Sequence, residues 1–306
     1  MTTALITHPD CLLHLTGPGH YERPERLIRI LAALEPLTEL VRHQAQEASL
    51  EQLMLAHDPL FVNRLLAAIP REGFASLDPD TIASPRSGRA ALLAAGAAVM
   101  AVDLVMKGEA NNAFCATRPP GHHAMSATAM GFCLFNNAAI AARHLLRHHG
   151  LNRVAILDFD VHHGNGTQEI FFDDPHVFYG SSHQSPLYPG TGFAIEKGVG
   201  NVVNVPLPPV SGSKEFRQAW QEGIGPALRN FAPEFLIISA GFDAHRLDPL
   251  ANLAVETEDF YWATGLLLDV AREYSKGRLV SILEGGYDLD ALAESALAHV
   301  KALLAS

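Results

Sequence analysis

The chain has 306 residues, 48% of them hydrophobic and 18% charged, which excludes a disordered polymer and suffices for one large α/β domain or two small ones. Its 22 Lys and Arg against 33 Asp and Glu give a formal charge of −11, which argues against nonspecific binding to nucleic acid or an anionic membrane. The longest apolar run, Ala90 to Val102, falls short of the ~18 residues of a membrane span; MTTALITHPD lacks the flank and core of a signal peptide; and Cys11, Cys115 and Cys133 make no disulfide framework, so a reducing cytoplasm is the expected compartment.

In chain order, the first short apolar run, Ala4–Thr7, predicts a buried strand. A helical pattern follows at Pro24–Glu35, with proline suited to its first turn. Ser87–Lys107 reads as a long Ala/Leu/Val helix stopped by Gly108. Then come a strand at Ala113–Ala116, a helix at Leu134–His149 ending at Gly150, and strands at Val154–Phe159, Val177–Gly180 and Val202–Val205. A helix at Glu215–Asn230, a strand at Phe235–Ser239, a helix at Glu258–Tyr274, a strand at Leu279–Leu283 and a helix at Leu289–Leu304 complete the pattern. Apolar strands separated by helices imply a parallel sheet covered on both faces. In such sheets functional groups gather beyond the carboxyl ends of the strands.

The polar motifs sit at those ends. Of 16 histidines, nine lie between His122 and His183, a density that reads as metal or acid–base chemistry; His144, His148 and His149 are read as decorating a helix. The strand Val154–Leu157 runs into Asp158, Asp160 and His162, which share a face if the chain stays extended. Asp243 stands at the end of another strand. Asp160, His162 and Asp243 would hold Zn²⁺ through two oxygens and one nitrogen with positions left open; the oxygen-rich set suits Fe²⁺ or Co²⁺ as well. Asp243 in isolation would be read as a cap.

Adjacent His122 and His123 diverge too much to ligate together, but they suit a water-activating pair oriented by Asp158 and Asn165. Tyr287, after Gly285 and Gly286, offers a phenol to an oxyanion; alone it would be an aromatic packing on a turn. Phe132 and Tyr188 could wall a narrow channel, and Cys133 reads as a small apolar filler.

Together, RPPGHHA, GFCLFNNAAIAA, DFDVHHGNGTQEIF, YPGTG, SAGFDAH and LEGGY resemble the histone deacetylase superfamily, in wording closest to class II deacetylases and their bacterial homologues. The resemblance runs from about His8 to the C-terminus. It implies one arginase-like α/β domain over residues 1–306, with a central, mainly eight-stranded parallel sheet. It also implies zinc on Asp160, His162 and Asp243, an acid–base pair of His122 and His123, and Tyr287 polarising the acyl carbonyl. Asp158 would orient His122, and Asn165 would partner His123. Phe132 and Tyr188 would flank an acyl-lysine channel, with the Gly131 carbonyl accepting the substrate amide N–H. Potassium is implied near Asp158, Asp160, His162, Ser181 and Ser182, and a second potassium near Phe171, Asp174 and Val177.

Three positions depart from the family pattern. Asn165 stands where class I enzymes carry Asp, and class II relatives also carry Asn. Tyr21 replaces the usual proline in a loop at the pocket rim. Leu250 lies where polyamine-specific members tend to have an acid, which tilts the reading toward acyl-lysine in a protein or peptide and away from a small acylated amine. A catalytically weak acyl-lysine binding protein is disfavoured by the complete set of His122, His123, Asp160, His162, Asp243 and Tyr287. The sequence leaves the oligomeric state open; members of the family are often homo-oligomers.

Overall fold

The strands are β1 (Thr3–Thr7), β2 (Leu40–Gln44), β3 (Ala75–Ser76), β4 (Ile82–Ala83), β5 (Asn112–Cys115), β6 (Val154–Asp158), β7 (Val177–Gln184), β8 (Val202–Leu207), β9 (Phe235–Ala240) and β10 (Leu279–Leu283) in a computed structural model that describes residues 2–305. Eight of them form one parallel sheet in the order β2-β1-β5-β10-β9-β6-β7-β8, and β3 and β4 make a small antiparallel ladder apart from it. All seven expected strands are present. The eighth, β2, was not expected: in Leu-Val-Arg-His-Gln only Leu40 is buried, the signature of a sheet edge with a wet outer face.

Two helical layers cover the sheet. Successive strand residues face opposite sides, and β5 shows both: Phe114 packs on His299 of helix Leu289–Leu304, whereas Cys115 Sγ lies 3.4 Å from the Ala97 carbonyl of helix Ser87–Met106. Helices Pro24–Leu34 and Thr257–Tyr274 pack on Leu289–Leu304, and Asn137–His148 packs on Ser87–Met106. Ser87–Met106 is by length and hydropathy able to cross a membrane, but 72% of its most apolar window is buried, against β1, β5 and β10 and the neighbouring helix. The expected helix at Leu134–His149 starts later, at Asn137, because the Asn136 side chain caps it by accepting from Ala139 N. Glu215–Asn230 is one run broken by a π-helical stretch at Ala219–Ile224. Four short segments escaped the sequence pattern: Pro9–Leu13, Leu50–Leu53, Pro59–Ala68 and Asn165–Phe171.

From β6 the chain moves outward to β7 and β8, then returns to β9 on the other side of β6. This reversal opens a crevice above the carboxyl ends of β6 and β9, where an open α/β sheet places its ligand.

Several core histidines are neutral spacers. His57 accepts from Asn136 N, His183 bridges Ser181 Oγ and the Gly192 carbonyl, and His299 bridges Thr264 Oγ1 and Ser281 Oγ. Burial lowers their pKa values to about 4, about 4 and about 3. An unfolded histidine titrates near 6.5, so below that pH the unfolded chain binds protons that the native chain refuses. Their stabilisation is present above pH 6.5 and is lost as pH falls toward 4. The three together are expected to tilt unfolding free energy by at most about 4 kcal/mol per pH unit in that window. Urea midpoints measured from pH 7.5 to 4.5 should fall steeply, and His299→Gln should flatten the slope. An unchanged midpoint down to pH 4.5 would contradict this assignment.

Candidate active site

The end of β6 is shaped by its own carboxylates. Asp158 Oδ1 accepts from Asp160 N (3.1 Å), and Asp160 Oδ1 accepts from His162 N (2.9 Å). Successive Asx turns, not an extended strand, therefore set the two-residue alternation. Asp160 and His162 converge with Asp243, and the three ligand atoms lie within 4.8 Å of one another. Asp158 turns aside, its Oδ2 meeting His122 Nδ1 and the Tyr179 hydroxyl, both at 3.0 Å. The expectation of a common direction for all three residues thus holds for Asp160 and His162 only.

His162 Nδ1 is 3.2 Å from Asp160 Oδ1 and 3.1 Å from Asp243 Oδ2. Each carboxylate spends its other oxygen on backbone: Gly285 N donates to Asp160 Oδ2, and Val161 N to Asp243 Oδ1, both at 2.8 Å. Two glycines make room for them, since a Cβ on Gly241 or Gly285 would strike the Asp160 or Asp243 carboxylate. Burial opposes a charged His162, yet bonds to Asp160 and Asp243 raise its pKa to about 10. The field at this point therefore calls for a cation, and two carboxylates with one imidazole are a donor set that zinc accepts.

His123 and His122 stand beside this set, their rings 4.0 Å apart. His123 Nδ1 meets Asn165 Oδ1 at 2.8 Å. Burial, with His122 and His162 alongside, pushes His123 far below the usual range. Burial also works against charge on His122, but the Asp160 and Asp158 carboxylates hold it well above that range. The two neighbours are thus pulled in opposite directions, His123 toward the neutral and His122 toward the charged imidazole.

Glu284, fully buried and not anticipated from sequence, fastens the histidine loop. Its Oε2 accepts from Gly121 N (2.7 Å) and His122 N (3.1 Å), and its Oε1 from Ser239 Oγ (3.0 Å). Burial raises its pKa to about 7. Equally unanticipated is a buried Arg26–Glu22–Arg118 chain. Arg118 donates twice to Glu22 and also to the carbonyls of Cys11 and His14; Arg26 donates to Glu22 and to the carbonyls of Glu284 and Gly286. Arg26 also lies 4.8 Å over the Tyr287 ring, and Asp248 Oδ2 accepts from Tyr287 N (2.7 Å).

A cavity of about 250 Å³ opens onto these groups, lined by His123, His162, Tyr287, Gly131, Phe132, Tyr188, Leu250, Leu187 and Asp80. Every residue expected to contact substrate lies in its wall. Asp80 and Leu187 are additions; the Asp80 carboxylate is fixed by Gly131 N and the Thr81 hydroxyl. Tyr21 stands at the rim, 46% exposed and edge-on to Tyr287. Cys133 is wholly buried, as expected of a filler.

Of the residues expected to hold potassium, Asp158 pairs directly with Ser181 across β6 and β7. Ser182 Oγ accepts from Trp220 Nε1. The carbonyls of Phe171, Asp174 and Val177 do converge, but on Asn201 Nδ2. A second His/Asp group lies far along the chain: His144 and His149 both donate to Asp103 Oδ1, at 2.8 and 2.6 Å. Those are hydrogen-bond lengths to one oxygen. Against the effect of partial burial, the two imidazoles hold Asp103 at about 2. These histidines staple two helices together instead of merely decorating one.

Known proteins resemble the chain over most of its length. The histone deacetylase domain model matches residues 20–303. The chain is 39% identical to "Histone deacetylase 10, chloroplastic" of Oryza sativa subsp. japonica, over 96% of this chain and 73% of that one. It is 38% identical to the "Histone deacetylase-like amidohydrolase" of Pseudomonas aeruginosa, over 93% and 81%, and 38% identical to "Polyamine deacetylase HDAC10" of Homo sapiens, over 99% and 48%. The solved HDA15 HD domain superposes with a TM-score of 0.94 at 38% identity, covering all of this chain and 88% of that one. A family model that spans nearly the whole chain, and relatives of this identity and coverage, place the chain in the histone deacetylase family, as a hydrolase of amides.

Proposed function

We propose that the chain hydrolyses the amide of Nε-acyl-lysine in proteins or peptides, with zinc held by Asp160, His162 and Asp243 and with potassium beside Asp158, Asp160, His162, Ser181 and Ser182. The observation that carries this reading is that His162, His123 and Tyr287 meet in one narrow cavity between Phe132 and Tyr188. Bound there, zinc would polarise the acyl carbonyl and lower the pKa of water.

The chain's own residues do the rest. Asn165 accepts the Nδ1 proton of His123 and leaves its Nε2 lone pair free, so neutral His123 can take the proton of the attacking water. Burial keeps the Tyr287 phenol protonated far above its usual range, and its O–H donates to the oxygen on which charge develops. His122, held by Asp158, is the cationic neighbour that supports proton delivery to the leaving amine. Gly131 bends with φ of 58°, and its carbonyl is offered to the substrate N–H. Phe132 and Tyr188 admit a thin aliphatic stem and exclude water. The three buried free cysteines suit a reducing cytoplasm.

Leu250 in the cavity wall favours acyl-lysine over acetylated polyamines, although one relative bears the name polyamine deacetylase. Acyl-lysine peptides and acetylated putrescine or spermidine should be compared on metal-replete protein. Peptides are expected to be turned over at least tenfold faster. A strong chelator should abolish turnover, and zinc should restore it. Faster polyamine turnover would overturn the substrate assignment, and chelator-resistant turnover the metal assignment.

A further inference from the structure

The oxygens expected to surround a second potassium are already satisfied by a side chain. Asn201 is almost fully buried just before β8. Its Nδ2 lies 2.8 Å from the Phe171 carbonyl, 3.0 Å from that of Asp174 and 2.8 Å from that of Val177. The opposite end of the amide fixes its sense, because Oδ1 accepts from Val199 N at 3.1 Å. Turned over, the amide would set its oxygen against three carbonyl oxygens and lose the Val199 bond.

The surrounding loop is shaped to this one side chain. Val199 N donates to the Phe172 carbonyl, and Val202 N to that of Lys197, which brings residues 197–202 over residues 171–177. Gly198, at φ of 55°, has no room for a Cβ, which would come to 2.5 Å from Asn201 Oδ1. The amide brings two N–H donors to three acceptors, a neutral group where a monovalent cation would bring a full charge.

We infer that the Asn201 amide takes the place of the second potassium, so that this chain holds no ion between Phe171, Asp174 and Val177. The inference concerns a site separate from the catalytic cavity and does not depend on the substrate proposed above. Its structural consequence reaches that cavity nonetheless. The three carbonyls lie at and just beyond the end of helix Asn165–Phe171, whose first residue holds His123.

Crystals of wild type and Asn201→Ala grown in rubidium chloride would decide the matter by anomalous scattering. Wild type is expected to show no peak among the three carbonyls, and Asn201→Ala to gain one. In solution, potassium in place of choline should raise the melting temperature of Asn201→Ala by several degrees more than that of wild type. A wild-type peak between the three carbonyls would overturn the inference. So would an Asn201→Ala protein that gains neither a peak nor potassium-specific stabilisation, since the oxygens would then form an ordinary turn. A peak beside Asp158 reports separately on the first potassium.

Discussion

Tyr287→Phe is expected to bind zinc with wild-type stoichiometry and to lose about 10²–10³-fold in kcat, the usual cost of removing one oxyanion donor. The ring should stay in place, because its contacts do not involve the hydroxyl. Phe132 meets it edge-on at 5.8 Å, the Arg26 guanidinium covers it, and its backbone N–H is held by Asp248. The loss should fall on kcat and leave KM little changed, because the hydroxyl serves a charge that exists only as the reaction proceeds. Metal analysis, a melting curve and steady-state kinetics on the same preparation would separate this from a folding defect. Near-full turnover would remove Tyr287 from the mechanism.

Glu22→Gln should bring the largest loss of stability, about 3–5 kcal/mol, by leaving two buried guanidinium groups without their shared counter-charge. Arg26, Arg118 and Glu22 are all fully inaccessible. Against the penalty of burial, Arg118 and His14 hold Glu22 well below the usual carboxylate range. The same substitution should lower kcat, because Arg26 pins the carbonyls of Glu284 and Gly286 that flank the tyrosine loop. The surface pair Arg246–Glu256, about half exposed on both sides, gives the contrast: breaking it should change stability by less than about 1 kcal/mol. A shift in urea midpoint at constant slope would measure both. A Glu22→Gln loss as small as the surface one would show that the buried chain does not act as a unit.

The fold was legible where burial is uniform. Strands such as Phe235–Ala240, buried at every position, read as plain apolar runs. β2 did not, because an edge strand keeps only part of its surface dry and both Val41 and Arg42 are exposed. Helix Pro59–Ala68 carried a usable signal in Asp58, which caps it, and Pro59 at its first turn, yet three buried residues make only a faint stripe.

In the site, Asp160, His162 and Asp243, the histidine pair and the channel wall meet at the carboxyl end of the sheet. The supporting charges were not legible. Nothing local marks Glu22 as buried, since its partner Arg118 lies 96 positions away, and Arg26 reaches carbonyls 258 and 260 positions away. The surroundings of the second potassium set were not legible for a related reason. Its carbonyls are backbone atoms, and what fills the space between them is decided by a side chain 24 to 30 residues further on.

The position of β10 bears on how the chain is made. This strand is bonded to β5 on one side and β9 on the other, although it follows β5 by more than 160 residues. A polypeptide growing from its N-terminus completes β5 and β9 with no partner available to join them. Until Leu283 has emerged from the ribosome, both strands keep an open, apolar edge of the kind that recruits other chains. Gly285, whose N–H holds Asp160, and Tyr287 arrive within four residues of that strand. Closing the sheet and completing the site are therefore coupled in the order of synthesis, since neither can happen before β10 is made.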